Sequence, residues 1–195
     1  MNANASAAPQ RTRNRAMLLA IFALFFGGFV LAGILRFSGW RPEGMKNRGE
    51  LLDPPGDLRG VAAQTLDGAD YRWNPGERIW RIVVAAPKVC DAPCAKLATD
   101  IELVRELQAQ NADRVHLLWI GPFPEGTPPE GARRSPALRM LQDAPALRAS
   151  LPRLDDPKGT PVYVVDPNGF VILRYAPGSD PGDLRADLAK LLKLK

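Results

Sequence analysis

The sequence is poor in the residues that build metal and nucleic-acid sites. It holds two cysteines and one histidine among 195 residues, and its acidic residues, Asp155-Asp156 included, show no metal-ligand spacing. Basic and acidic residues are interspersed through the body with no basic stripe among aromatics, so a net charge of +5 leaves no nucleic-acid footprint and excludes that partner. There is no internal repeat, and no low-complexity tract beyond the small-residue N-terminus from Asn2 to Pro9. The part beyond residue 60 has room for one ordinary domain with a single core. With 46% hydrophobic and 24% charged residues, the chain as a whole has the balance of a folded protein rather than a disordered one.

One stretch lacks charge altogether. From Ala16 to Leu35 the chain reads AMLLAIFALFFGGFVLAGIL, twenty uncharged residues. At about 1.5 Å per residue this is long enough to cross a hydrocarbon core of about 30 Å. A buried helix of a soluble core rarely runs so long without a polar face. A cleaved signal peptide is the competing reading, since Val30-Leu31-Ala32 offers small residues at a cleavage-like position. The run exceeds a signal core and continues past that position, which favours an uncleaved single span. Arginines flank it on both sides, Arg11, Arg13 and Arg15 before and Arg36 and Arg41 after, so counting cations does not orient it. The short acid-free tail points the N-terminus to the cytoplasm, with Trp40 and Phe37 near the interface. Residues Ser38 to Leu58, with Arg41-Pro42 and Asp53-Pro54-Pro55-Gly56, suggest a tether. The expected organisation is a tail over 1–15, a transmembrane helix over 16–35, a tether over 36–60 and a folded domain over 61–195.

Within that domain, Val61 to Trp73 suggests a short hairpin around Asp67-Gly68. Ile79 to Ala86 and Arg114 to Ile120 are short apolar runs with β-branched residues, hence buried strands. Between them, Leu97, Ile101, Val104 and Leu107 recur at helical spacing. Gly121 to Pro136 is a loop dense in proline and glycine that carries Arg133 and Arg134. Leu138, Leu141, Leu147 and Leu151 suggest a helix broken at Pro145. Val162 to Val165 and Phe170 to Tyr175 form a hairpin about Asp166-Pro167-Asn168-Gly169, and Pro181 to Leu194 is a closing amphipathic helix. This order predicts an α/β thioredoxin-like fold, a mixed central sheet flanked by helices. Trp73, Trp80 and Trp119 are expected to pack rather than to bind.

Both cysteines sit at the step from strand to helix, as Cys90-Asp91-Ala92-Pro93-Cys94. Free N–H groups at a helix start stabilise a thiolate, and Lys88 and Lys96 add positive charge, so Cys90 is expected to be the nucleophile. Pro93 costs a first helical turn little. A spacing of four on a helix separates Cα atoms by about 6 Å, within disulfide range, and a strained exposed disulfide is easily reduced. The same two sulfurs suit Cu(I). The bland alternative is a pair of inert core cysteines or a static staple, whose small loop constrains little of the unfolded chain. Thr160-Pro161 precedes the strand VYVV; in a thioredoxin fold a proline there, usually cis, lies beside the redox pair, although a plain strand-edge proline has the same appearance.

These segments resemble the Sco/SenC family of membrane-anchored, thioredoxin-fold proteins that assemble the copper site of cytochrome c oxidase. The resemblance rests on IVVAAPKVCDAPC leading into a helix, on YVVDPNGFVILRY, and on the last helix after Gly178-Ser179-Asp180-Pro181. It implies that Cys90 and Cys94 are the paired redox or copper-binding cysteines. The family also uses a histidine shortly before the hairpin, near Asp156 to Lys158, and this chain has none there. Its single histidine, His116, lies inside RVHLLWI, where a satisfied imidazole is expected, and Met140 is expected in a core helix rather than at a metal. Without that histidine the ligand for Cu(II) is missing, while GTPVYVVD is closer to the proline segment of thioredoxin-like reductases. The resulting expectation is a thiol-disulfide protein at a bacterial-type inner membrane with its C-terminal domain in the periplasm, an oxidising compartment. Cys90 and Cys94 would do the chemistry with Pro161 at the docking edge, no cofactor required. The partner would be a thiol or copper-site protein, either a cytochrome oxidase subunit or a copper chaperone. A Cu(I) carrier on Cys90 and Cys94, and a tethered scaffold with incidental thiols, are the alternatives.

Overall fold

The computed structural model describes residues 8–38, 47–124 and 135–194, and the chain divides into two units, Met1–Lys46 and Asn47–Lys195. In the first, helix α1 runs over Ala8–Phe37. Its Arg13–Phe37 part is long and apolar enough to cross a membrane. It outruns the apolar stretch at its start because Gln10 to Arg15 contain no helix breaker and Pro9 is tolerated in a first turn. Trp40, the 39–46 part of the tether and the 125–134 part of the proline-rich loop, with Arg133 and Arg134, lie outside the described residues.

The second unit contains β1 (Glu50–Asp57), the small hairpin β2 (Ala63–Gln64) and β3 (Asp70–Tyr71), β4 (Trp80–Ala85), α2 (Ala92–Glu106), β5 (Val115–Ile120), β6 (Leu138–Leu141), the short α3 (Pro145–Ala149), β7 (Val162–Val165), β8 (Phe170–Tyr175) and α4 (Pro181–Leu191). Six strands form one sheet in the order β1-β8-β7-β4-β5-β6. β4 pairs parallel with β5 (Ile82 opposite Leu117) and antiparallel with β7 (Ile82 opposite Val164), so the sheet is mixed. Because strand side chains alternate between faces, Ile82 and Val84 join Leu117, Trp119, Ile101 and Leu188 in one core layer. Val83 and Ala85 join Leu118, Ile120, Tyr163 and Leu147 in the other.

Two expectations are corrected. The tether ends sooner than residue 60, because Glu50–Asp57 is an edge strand antiparallel to β8. Its Asp53-Pro54-Pro55-Gly56 stretch has the composition of a loop, yet prolines are tolerated where an edge has no outer neighbour to serve, and the register shifts there between Leu51 and Gly56. Leu138 and Leu141 belong to strand β6, parallel to β5, with only Pro145–Ala149 helical after them. Four apolar residues near a proline carry too little periodicity to separate strand from helix. Met140 is accordingly a strand residue opposite Trp119.

The entry into the domain is fastened by one buried carboxylate. Asp187 on α4, 2% exposed, accepts the backbone N–H groups of Arg48 (2.7 Å) and Gly49 (2.9 Å) and the Tyr175 hydroxyl (3.0 Å), and it pairs with the Lys190 ammonium (2.9 Å). Gly49 is required, since a Cβ there would lie 2.5 Å from the Tyr175 ring. Burial pushes the Asp187 carboxyl up, but the Gly49 N–H, Lys190, the Arg48 N–H and the Tyr175 hydroxyl together hold it below its ordinary 3.8. A lowered carboxyl stabilises the fold fully above the ordinary value and ceases to do so as pH falls through the lowered one. Asp187→Ala leaves three buried donors without their acceptor and should cost about 2–4 kcal/mol in denaturant unfolding at neutral pH. That difference from the parent protein should shrink as the titration is repeated below pH 3.8.

Candidate functional site

The site is built at the end of the best-buried strand. All six residues of β4 are buried, and the chain leaves it through Ala86 and an exposed Pro87-Lys88-Val89 loop to Cys90. Asp91 then caps α2, its backbone extended and its Oδ1 accepting the Cys94 N–H at 3.1 Å. Cys90 therefore lies just ahead of the helix and Cys94 inside its first turn. The two are joined as a disulfide with Cα atoms 5.3 Å apart. This is closer than a full helical turn would place them, because only one of the pair is helical.

The sulfurs differ in access. Cys94 is 3% exposed and belongs to the core layer of Ile82 and Trp119, whereas Cys90 only packs against its edge. The expected electrostatic support for Cys90 is partly spent. Pro93 has no N–H, the Cys94 N–H serves Asp91, and Lys96 is paired with Asp100 at 2.6 Å. Lys88 remains exposed in the preceding loop.

A groove of about 800 Å³ opens beside the disulfide. Pro93, Cys94 and Leu97 of α2 line it together with Lys158 and Pro161. Pro161 is buried immediately before β7. The structure thus brings Cys94 and Pro161 to one groove, with Cys90 joined to Cys94 by the disulfide. The Thr160–Pro161 bond is trans; among the described residues the one cis peptide is Asp53–Pro54.

Two arginines brace the groove. Arg148 on α3 donates to the Ala86 carbonyl at the root of the cysteine loop and pairs with Asp143. Arg174 on β8 pairs with Asp156 at 2.6 Å in the loop that leads to Pro161. The Lys158 N–H and Arg174 together hold the Asp156 carboxyl below its ordinary range. Neither brace was singled out from the sequence, although a signal existed. A cation inside an apolar strand run such as FVILRY must find a buried partner somewhere.

His116 takes no part in this site. It lies near the start of β5, opposite Arg81, while the cysteine loop follows the far end of β4. Its Nδ1 meets the Tyr71 hydroxyl at 3.0 Å, and that hydroxyl accepts from Arg81 Nε at 3.0 Å. Arg81 is fully buried and is satisfied by the carbonyls of Ile79, Asp166 and Pro167. Burial, then the charges of Arg139 and Arg81, push the imidazole down to about 4. Among the described residues no group of three His, Cys, Asp or Glu could hold a metal ion, which leaves the two sulfurs as the site's soft ligands.

Residues 80–195 match the family described as transmembrane-like, thioredoxin-like, C-terminal domain. The chain belongs to that family. No curated protein matches it. Among solved structures, BsSco, a member of the Sco family of cytochrome c oxidase assembly proteins in which a disulfide switch was identified, is similar at 17% identity. That match has a TM-score of 0.52 and covers 75% of this chain and 98% of that one. A SCO1/SenC family lipoprotein from Bacillus anthracis gives 16%, 0.53, 73% and 99% in the same order, and yeast Sco1 with copper bound gives 12%, 0.52, 78% and 96%. These likenesses show a shared thioredoxin-like fold, in keeping with the resemblance read from the sequence. They cover nearly the whole of each similar chain.

With its lowered pKa, His116 should stay neutral through the physiological range. Its ring resonances in an NMR titration should hold constant from pH 8 to about 5 and move only toward about 4. Since the unfolded imidazole takes its proton near 6.5, this group's contribution to stability is complete above that value and is lost as pH falls from there through about 4.

Proposed function

We propose that this protein is a membrane-anchored thiol-disulfide protein that supports maturation of respiratory cytochrome c oxidase by reducing the cysteines of a copper site or of its chaperone. The observation that carries the reading is the unequal exposure of a joined cysteine pair at a helix start, with the reachable sulfur outermost and the second buried behind it. In the reduced protein the Cys90 thiolate attacks one sulfur of the partner's disulfide, forming a Cys90–partner bond and releasing the partner's other sulfur as a thiolate. The Cys94 thiolate then attacks Cys90, closes the intramolecular disulfide and releases the second partner thiolate. Two electrons pass to the partner, and a thiol donor must later restore the dithiol. Pro161 shapes the docking edge across the groove. The anchor α1 holds the domain at a bacterial inner membrane with the N-terminus in the cytoplasm and the cysteines in the periplasm, where disulfide chemistry operates. The oxidase assignment draws on the Sco-type fold.

A second reading, Cu(I) carriage on the same two thiolates, is favoured by the soft two-sulfur set and the copper-bound form of yeast Sco1. Here the ion is cargo, and Cys90 and Cys94 alone would hold it.

Covalent trapping decides between these. With Cys94→Ser in oxidising membranes, a partner should accumulate on Cys90 and be released by dithiothreitol, while Cys90→Ser should trap nothing. Absence of any adduct, together with tight one-to-one anaerobic Cu(I) binding abolished by Cys90→Ser, would replace the exchange reading by the carrier reading.

A further inference from the structure

The wall of the groove that faces the cysteines is not part of the sheet. From Pro152 to Thr160 the chain is irregular, with Arg153 at φ 52° and Gly159 at φ 131°, and it is tied to the sheet mainly through side chains. The Tyr163 hydroxyl donates to the Pro152 carbonyl at 2.9 Å. Arg174 donates to the Arg153 carbonyl at 3.3 Å and to Asp156 Oδ2 at 2.6 Å, and Asp156 Oδ1 accepts the Lys158 N–H at 3.0 Å. The Arg174 side chain is 6% exposed and that of Asp156 18%. A cation so buried is costly unless paired; Glu50 on β1 lies 3.9 Å from it, and the 2.6 Å contact is with Asp156, which holds the loop there.

We infer that the Arg174–Asp156 pair positions the Pro161 wall of the groove for a polypeptide partner, so that an extended cysteine-bearing segment is gripped between this wall and α2 while Cys90 attacks. Both residues are positioning residues, since neither touches the sulfurs. The inference rests on the thiol-disulfide reading of the site and adds a separation between chemistry and docking. The intrinsic reactivity of Cys90 depends on the start of α2, and recognition of a chain-like partner depends on a loop that an ion pair holds from the opposite side. A small disulfide needs only the first.

The test uses the full chain in detergent, reduced with dithiothreitol and desalted, against two probes. One is 5,5′-dithiobis(2-nitrobenzoate). The other is a short peptide whose cysteine carries a 5-thio-2-nitrobenzoate group. In both, Cys90 forms a bond to a probe sulfur and releases the coloured thiolate, and Cys94 then displaces what remains on Cys90. In Asp156→Asn and Arg174→Lys the rate with the peptide should fall about tenfold, the order expected from misplacing a binding wall, while the rate with the small disulfide changes less than about twofold. The double variant Asp156→Asn/Arg174→Met removes both charges and restores thermal stability without restoring the wall. Its peptide rate should remain low. The inference is overturned if both probes slow equally, if neither slows in a folded variant, or if the double variant regains the peptide rate along with its Tm. Failure of the unsubstituted protein to react with either probe would instead overturn the thiol-disulfide reading itself.

Discussion

The fold depends on one strand that is buried along its whole length. β4 lies between a parallel and an antiparallel neighbour, and each of its six residues is buried. Each fully buried aliphatic side chain contributes about 1.5–3 kcal/mol, and alternation sends these contributions into both core layers at once. A strand covered on both faces cannot slip by a residue without exchanging its two sets of side chains. Its end point is therefore fixed, and so is the point where the chain turns out through Pro87 to Cys90. The position of the cysteine pair follows from that register.

Polar residues inside such a core are tolerated only where every charge has an acceptor or donor, and this domain meets the condition in three separate ways. Arg81 rests on carbonyls and a tyrosine hydroxyl, Arg174 on a carboxylate, and Asp187 on two backbone N–H groups, a hydroxyl and an ammonium. Each joins segments far apart in sequence. Asp187 ties the domain's first residues to its last helix, while Arg174 ties a loop beside the groove to β8. Tyr175, whose hydroxyl donates to Asp187, also borders the groove. The start of the domain and the groove wall are thus fastened to adjacent residues of one strand.

At the cysteines, geometry redistributes the roles that residue types alone suggest. Lysine, proline and a helix start near Cys90 all point toward an activated thiolate. In the folded chain Lys96 belongs to Asp100, Pro93 offers no donor, and the Cys94 N–H belongs to Asp91. What distinguishes Cys90 from Cys94 is access, which is a property of the fold rather than of the pentapeptide. The histidine that the Sco resemblance implies near Asp156 to Lys158 is absent, the loop there is held to Arg174 through Asp156 instead, and His116 is occupied at the other end of the sheet.

By itself the sequence determined the long apolar helix, the strands at Ile79 to Ala86, Val162 to Val165 and Phe170 to Tyr175, the two long helices of the domain, and hence a thioredoxin-like order with cysteines at a strand-to-helix step. Those elements are long or strongly patterned, so local physics is enough to specify them. Glu50–Asp57 and Leu138–Leu141 were decided only by tertiary structure, since an edge strand rich in proline and a four-residue strand have no periodicity of their own and exist because a neighbour supplies their hydrogen bonds. The same holds for the groove. Pro161 was legible as a candidate, but the ion pair that holds its loop joins residues 18 apart across the sheet, and no local pattern records which buried cation a given carboxylate will meet.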